Sequence, residues 1–175
     1  MILSYGARNF YSFKEGFDVS LEISKKDYLP GLNANTVLAV KGANASGKTN
    51  AIKVLAFLAY FSCNSWQDKP TDKIPTYTHF NNIEESNFYI IISIKGVEYE
   101  YELSIKENKI THEKLTRTKT RPVVLVERSN NSIKSGLKKI VSANIKLRSN
   151  ASIISTLNQY NFSEIRDIYN EFSNV

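Results

Sequence analysis

The sequence predicts an α/β fold, a strand–loop–helix unit joined to an antiparallel β-meander subdomain. Three observations carry this. Gly42-Ala43-Asn44-Ala45-Ser46-Gly47-Lys48-Thr49 lies between an apolar run, Thr36-Val37-Leu38-Ala39-Val40, and an Ala- and Leu-rich run without Gly or Pro, Ala51 to Phe61. Residues 83–128 hold short β-rich runs separated by turn-forming pairs, and one of them, Val97 to Leu103, alternates apolar and polar side chains with period two. The last stretch, 149–172, returns to helical composition.

In chain order, Ile2 to Phe10 and Phe17 to Ile23 read as two strands joined by a turn at Ser12 to Gly16. Pro30-Gly31 and Asn33 to Asn35 read as a loop leading to the strand at 36–40. The helix from Ala51 is apolar on nearly all sides, with Ile52, Leu55, Ala56 and Ala59 on one face and Val54, Phe57, Leu58 and Phe61 on another. That pattern predicts a central, buried helix. Residues 62–82, with Trp66, Pro70 and Pro75, read as a connecting loop.

Strands follow at Phe88 to Ile94, Val97 to Leu103, Ile110 to Thr116 and Val123 to Val126, a meander of three or four. Residues 129–150 read as loop with one short basic helix near 136–147, and two helices close the chain at Ser149 to Tyr160 and Ser163 to Phe172. The whole is expected to be one domain in three parts: 1–62 with the loop and its helix, 83–128 as the β arm, and 129–175.

The loop fits G-x-x-x-x-G-K-[ST], the Walker A or P-loop pattern, at every required position. Gly42 and Gly47 permit backbone dihedrals that turn consecutive N–H groups inward around a phosphate. The helix start behind them adds unpaired N–H groups and positive dipole. Lys48 is expected to reach the β- and γ-phosphates as the catalytic cation, and the Thr49 hydroxyl to ligate Mg²⁺. An ordinary glycine turn with an exposed lysine is the competing reading. Four constrained positions arise by chance in roughly one chain of this length in a hundred or fewer, and the flanking strand and helix tip the balance. The assignment asks two things of the fold: a strand feeding the turn, and Lys48 turned inward.

Composition narrows the rest. The chain has 175 residues, 42% hydrophobic and 23% charged, as in a soluble globular protein. One cysteine, Cys63, allows no internal disulfide and fits a reducing cytoplasm. No apolar run approaches the roughly 20 residues that cross a bilayer, so no membrane partner is expected. The net charge of +6 is uneven: residues 61–103 hold three Lys against seven Asp or Glu, and residues 104–148 hold twelve Lys or Arg against three Glu. The second block could attract nucleic acid or an acidic partner, or could be a solvated cationic face.

Other candidates are weak. His79 and His112 stand alone, without companions at metal-ligand spacing. Glu98, Glu100 and Glu102 share one strand face, the pattern of a solvated surface. Val123 to Glu127 imitates a Walker B strand, but Val126 stands where the metal-holding Asp belongs, so a last meander strand is the better reading. Asn108-Lys109-Ile110-Thr111 begins like a guanine-reading motif and lacks its Asp, which favours ATP over GTP.

The strand bearing Arg8-Asn9-Phe10-Tyr11-Ser12-Phe13, a second strand, and then Gly42 to Asn50 together resemble the ATP-binding heads related to ABC and SMC ATPases. The resemblance is closest to small bacterial AAA-type ATPases of anti-phage and abortive-infection systems, relatives of the OLD-type nuclease ATPases. Asn44, Ser46 and Asn50 match that family's habits around the P-loop, and Tyr99 to Leu103 and Ile110 to Arg128 look like its inserted β arm. The resemblance implies a P-loop NTPase fold, the N-terminal lobe of an ABC/SMC-like head, with a parallel core flanked by the antiparallel sheet. It implies ATP with Mg²⁺ as cofactors, with adenine near Arg8 and Phe10. It also implies a nucleotide held between two heads, completed by a Walker B carboxylate and an S-G-G-type loop from a C-terminal half. No strand-like run here ends in Asp-Glu, no Ser-Gly-Gly occurs, and Gln159 is a weak Q-loop candidate. The chain is therefore expected to be the N-terminal part of a longer ATPase or a shortened relative, pairing with a second head or a missing half, and slow or inactive alone.

Overall fold

The alternating segments pair into one sheet. The computed structural model describes residues 1–23 and 34–175, so the loop expected at Pro30-Gly31 lies outside the described residues. Seven strands are found among them: β1 (Ile2–Arg8), β2 (Phe17–Ser20), β3 (Ser86–Ile94), β4 (Val97–Lys106), β5 (Lys109–Thr118), β6 (Pro122–Ser129) and β7 (Ser132–Gly136). They lie in the order β2-β1-β3-β4-β5-β6-β7, every pair antiparallel. Lys95-Gly96 and Glu107-Asn108 turn the chain with positive φ, as tight hairpins require.

Register decides what faces where. The rung Tyr5–Ile90–Tyr101–Leu115–Val126 crosses five strands and is buried throughout. The neighbouring rung, Gly6–Tyr89–Glu102–Lys114–Glu127, points to the opposite, open face. There Lys114 pairs with Glu102 at 3.4 Å. Period-two patterning thus produces one apolar and one charged face.

Helices cover the apolar face: α1 (Lys48–Asn64), α2 (Lys138–Ser142), α3 (Ile153–Gln159) and α4 (Ser163–Ser173). α1 packs on α3, α4 and β1. Phe57 sits among Phe10, Phe61 and Phe88 with ring centroids 6.1, 5.5 and 4.8 Å away. α1 is nevertheless not buried all round. Ile52 is 57% and Tyr60 40% exposed, so its outer face is open where the sequence predicted a central helix.

The other departures have physical causes. Residues 36–40 form no strand, and Val37 is 81% exposed. A strand is made by its neighbour, and among the described residues nothing pairs with this segment; the last contacts before it are Glu22–Ala34 and the Asn35 amide on the Leu21 carbonyl. The expected parallel core is accordingly absent among the described residues, and all sheet pairing is antiparallel. In 129–150, where the sequence predicts loop, the structure adds β7, and it shortens the basic helix to five residues.

Candidate functional site

The loop at 42–49 is constrained most at its second glycine. Gly47, just before α1, has φ 91°, and a Cβ there would meet the Ser12 hydroxyl at 2.9 Å and the Phe13 ring at 3.1 Å. At Gly42 a Cβ would lie 2.8 Å from the Ser46 hydroxyl. Ala45 also has positive φ, 64°, so the chain winds tightly through Asn44 to Gly47. Lys48 curls back into the loop: its Nζ donates to the carbonyls of Gly42 at 2.9 Å and Ala43 at 2.6 Å. Of the two conditions the sequence set, the inward lysine is met and the feeding strand is not; that failure counts against the assignment, because the sequence reading required both.

The N-terminus of α1 lacks the usual compensation. No side chain caps it, and its first turn contains no acidic residue while it contains Lys48. Free N–H groups, the positive end of the dipole and an ammonium therefore converge at one point. A cavity of about 330 Å³ opens there, lined by Ala45, Ser46, Gly47, Lys48, Thr49 and Asn50. Asn50 is engaged elsewhere, its Nδ2 donating to the Ser12 hydroxyl at 2.9 Å. That bond ties the loop to the β1–β2 turn.

The two expected adenine contacts do not face this cavity together. Phe10 is 1% exposed, its ring enclosed by Tyr11, Phe57 and Phe88. Arg8 pairs with Glu84 at 3.2 Å and lines a cavity of about 600 Å³ on the open sheet face. Glu15, Asp18, Glu100 and Glu102 also line that cavity, so a polyphosphate would be repelled there. Tyr11 is the turn residue whose ring is turned toward α1, with the Lys53 ammonium 4.2 Å from its centroid.

The cationic block at 104–148 does not form one surface. Arg128 is fully buried, its Nε 2.9 Å from Glu113, itself fully buried. Arg148 donates to the carbonyls of Ser65, Trp66 and Asp68 just beyond α1 and stacks on Trp66 at 4.4 Å. Lys114 and Lys139 have carboxylate partners. Lys106 and Lys109 sit at one end of β5, and Arg117, Lys119 and Arg121 at the other; ten residues of strand separate them by about 30 Å.

Sequence reasoning missed the Glu113 site, because an isolated Glu in a strand reads as surface. Glu113 also accepts from the Tyr101 hydroxyl and the Ile153 amide. Burial pushes its carboxyl above the ordinary range, against the opposing pull of Arg128 and of these donors. Cys63 behaves as expected of a small buried hydrophobe, with burial raising its thiol to about 11. Val123 to Glu127 lies in β6 between β5 and β7, the meander strand that the sequence favoured over a Walker B.

Residues 37–173 match the family described as "AAA domain, putative AbiEii toxin, Type IV TA system". The chain belongs to this AAA domain family. Comparison with curated proteins found no match. Membership makes the chain an AAA, ATPase-like domain, a class that uses nucleotide and usually Mg²⁺. The matched span contains the loop at 42–49, β3 to β7 and α1 to α4. Among the described residues, no helix of this AAA domain is long and apolar enough to cross a membrane.

Proposed function

We propose that the chain binds Mg-ATP at residues 42–49, as the nucleotide-binding part of an ATPase. The observation that carries this is the start of α1, where uncapped amides, dipole and Lys48 meet with no carboxylate beside them. An arrangement that repels itself is relieved by a bound polyanion, and a triphosphate matches it in charge and size. Lys48 exchanges its two carbonyl contacts for phosphate oxygens, and the amides of 45–49 take the rest.

Among the described residues no cluster of three His, Cys, Asp or Glu could hold a metal. Mg²⁺ would therefore rest on the phosphates and on the exposed Thr49 hydroxyl, where it would neutralise developing charge. Hydrolysis further needs an acid and a positioned water, which we assign to a second head or a C-terminal half. The unpaired apolar run Val37 to Val40 and exposed Ile52, which flank the loop in sequence, support such a partner. The family description names a putative toxin of a Type IV TA system; a role in anti-phage defence is the finer part of this proposal. Nucleic-acid binding through 104–148 is the second reading, weakened by the separation of its exposed cations.

Titration with fluorescent ATP in Mg²⁺ tests the proposal. Lys48→Ala should weaken binding by roughly 10- to 100-fold, the loss of a charged hydrogen-bond donor, while phosphate release by the wild-type chain stays near background. Equal affinity in wild type and variant would overturn the assignment.

A further inference from the structure

We propose that the loop at 76–84, with Phe80 at its tip, pairs this chain with a second copy of itself about a two-fold axis. The surface lies on the segment before β3 and on the β4–β5 turn, so the pairing is independent of nucleotide at residues 42–49.

Phe80 has φ 44° and Asn81 φ 58°, the left-handed region that is costly for an aromatic residue. One buried side chain holds both ends of this turn. Asn9, fully buried, accepts from the His79 amide at 3.1 Å and donates to the Glu84 carbonyl at 2.8 Å. Asn82 tightens the tip, its amide donating to the His79 carbonyl and its Oδ1 accepting from the Glu84 amide. The aromatic cannot fold back from a turn held this firmly, and Phe80 is 89% exposed. Ile83, 84% exposed, and the exposed Tyr77 stand on the same loop. Single exposed apolar residues need no explanation, but three large ones together mark an interaction surface.

Beside this knob lies a hole. A cavity of about 370 Å³ is lined by Tyr77, Ile83 and Glu84 of the loop and by Ile105, Glu107 and Asn108 of the β4–β5 hairpin. Its volume is that of a site for a small organic group, ample for one aromatic ring, and Phe80 is not among its walls. A two-fold interface needs a patch complementary to itself, with knob and hole on one surface. Phe80 of each copy enters the cavity of the other. The charges point to the same occupant. Lys106, Glu107 and Lys109 are exposed at the β4–β5 turn, and none has an ion-pair partner among the described residues. With Glu84 the rim holds two lysines and two glutamates, which favours neither an acidic nor a basic partner and suits a copy of itself. Lys106 of each copy then faces Glu107 of the other, and such rim pairs fix register more than affinity.

Sedimentation velocity of the full chain over a concentration series, without nucleotide or Mg²⁺, tests this. Wild type should reach the mass of a dimer. Phe80→Asp should weaken association roughly 30-fold or more, as loss of a central aromatic anchor does; the side chain is exposed, so the fold is spared, which far-UV circular dichroism checks. Leu38→Asp, on the exposed apolar run at 36–40, should leave the dimer intact, which separates this surface from that one. Lys106→Glu should weaken the dimer, and Lys106→Glu combined with Glu107→Lys should restore it. A wild type that stays monomeric throughout, as it would if the loop served a different protein, overturns the proposal. So does a dimer that survives Phe80→Asp, or an open-ended series of larger species.

Discussion

Arg128 and Glu113 show how much of this molecule rests on groups that composition assigns to the surface. Both side chains are fully buried, and an ion in that position is tolerable only with its partners present. Glu113 accepts from the Tyr101 hydroxyl and the first amide of α3 and forms an ion pair with Arg128, so one carboxylate joins β4, β5, β6 and the helix layer. Removing one partner leaves the other charged and unpaired. Glu113→Leu or Arg128→Met alone should each cost about 3–5 kcal/mol in urea unfolding, and the double variant should cost less than their sum. Strict additivity would show that the two side chains do not act as a pair. Nothing in the sequence marks these two as special. Their neighbours in the strands are charged as well, and only the inward register at 113 and 128 separates them from the open face.

At the scale of elements, legibility followed whether an element carries its own signal. β3 was readable as a β-rich run, Phe88 to Ile94, and β4 because Val97, Tyr99, Tyr101 and Leu103 alternate with Glu98, Glu100 and Glu102, an alternation the pleat turns into a buried face at Tyr101 and Leu103. β7, Ser-Ile-Lys-Ser-Gly, carries no such alternation. It is a strand because β6 offers its edge, with Val126 opposite Gly136 and Glu127 accepting from the Ser135 hydroxyl. The run at 36–40 is the converse, strong β-forming composition with no neighbour to pair with among the described residues.

The loop at 42–49 stands out in sequence by its pattern, and in the structure Gly47 takes a positive φ that a side chain would strain. Gly47→Ala tests that at the start of α1. A Cβ at φ 91°, pressed on Ser12 and Phe13, should cost roughly 1–2 kcal/mol. It should also lower ATP affinity by displacing the 45–49 amides. A variant that binds ATP like wild type would mean that the loop's winding is not what holds phosphate.

Across the whole molecule, one sheet separates two environments. Its apolar face is roofed by α1, α3 and α4 and delivers α1 with its N-terminus uncapped; its open face is acidic near β4. The exposed cations of the 104–148 block lie at both ends of β5 and on β7 and α2, apart from the loop at 42–49. Family membership and the loop pattern agree on nucleotide use, whereas the left-handed conformation of Tyr11 was illegible in sequence, because no local pattern announces it.

Amide hydrogen exchange with and without Mg-ATP measures the central claim most directly, since it reads the groups said to hold the phosphates. Protection should rise on adding nucleotide at residues 45–50, and Lys48→Ala should abolish the rise. Unchanged exchange at those amides in saturating Mg-ATP, or protection confined to the open face around Glu100 and Glu102, would contradict the account.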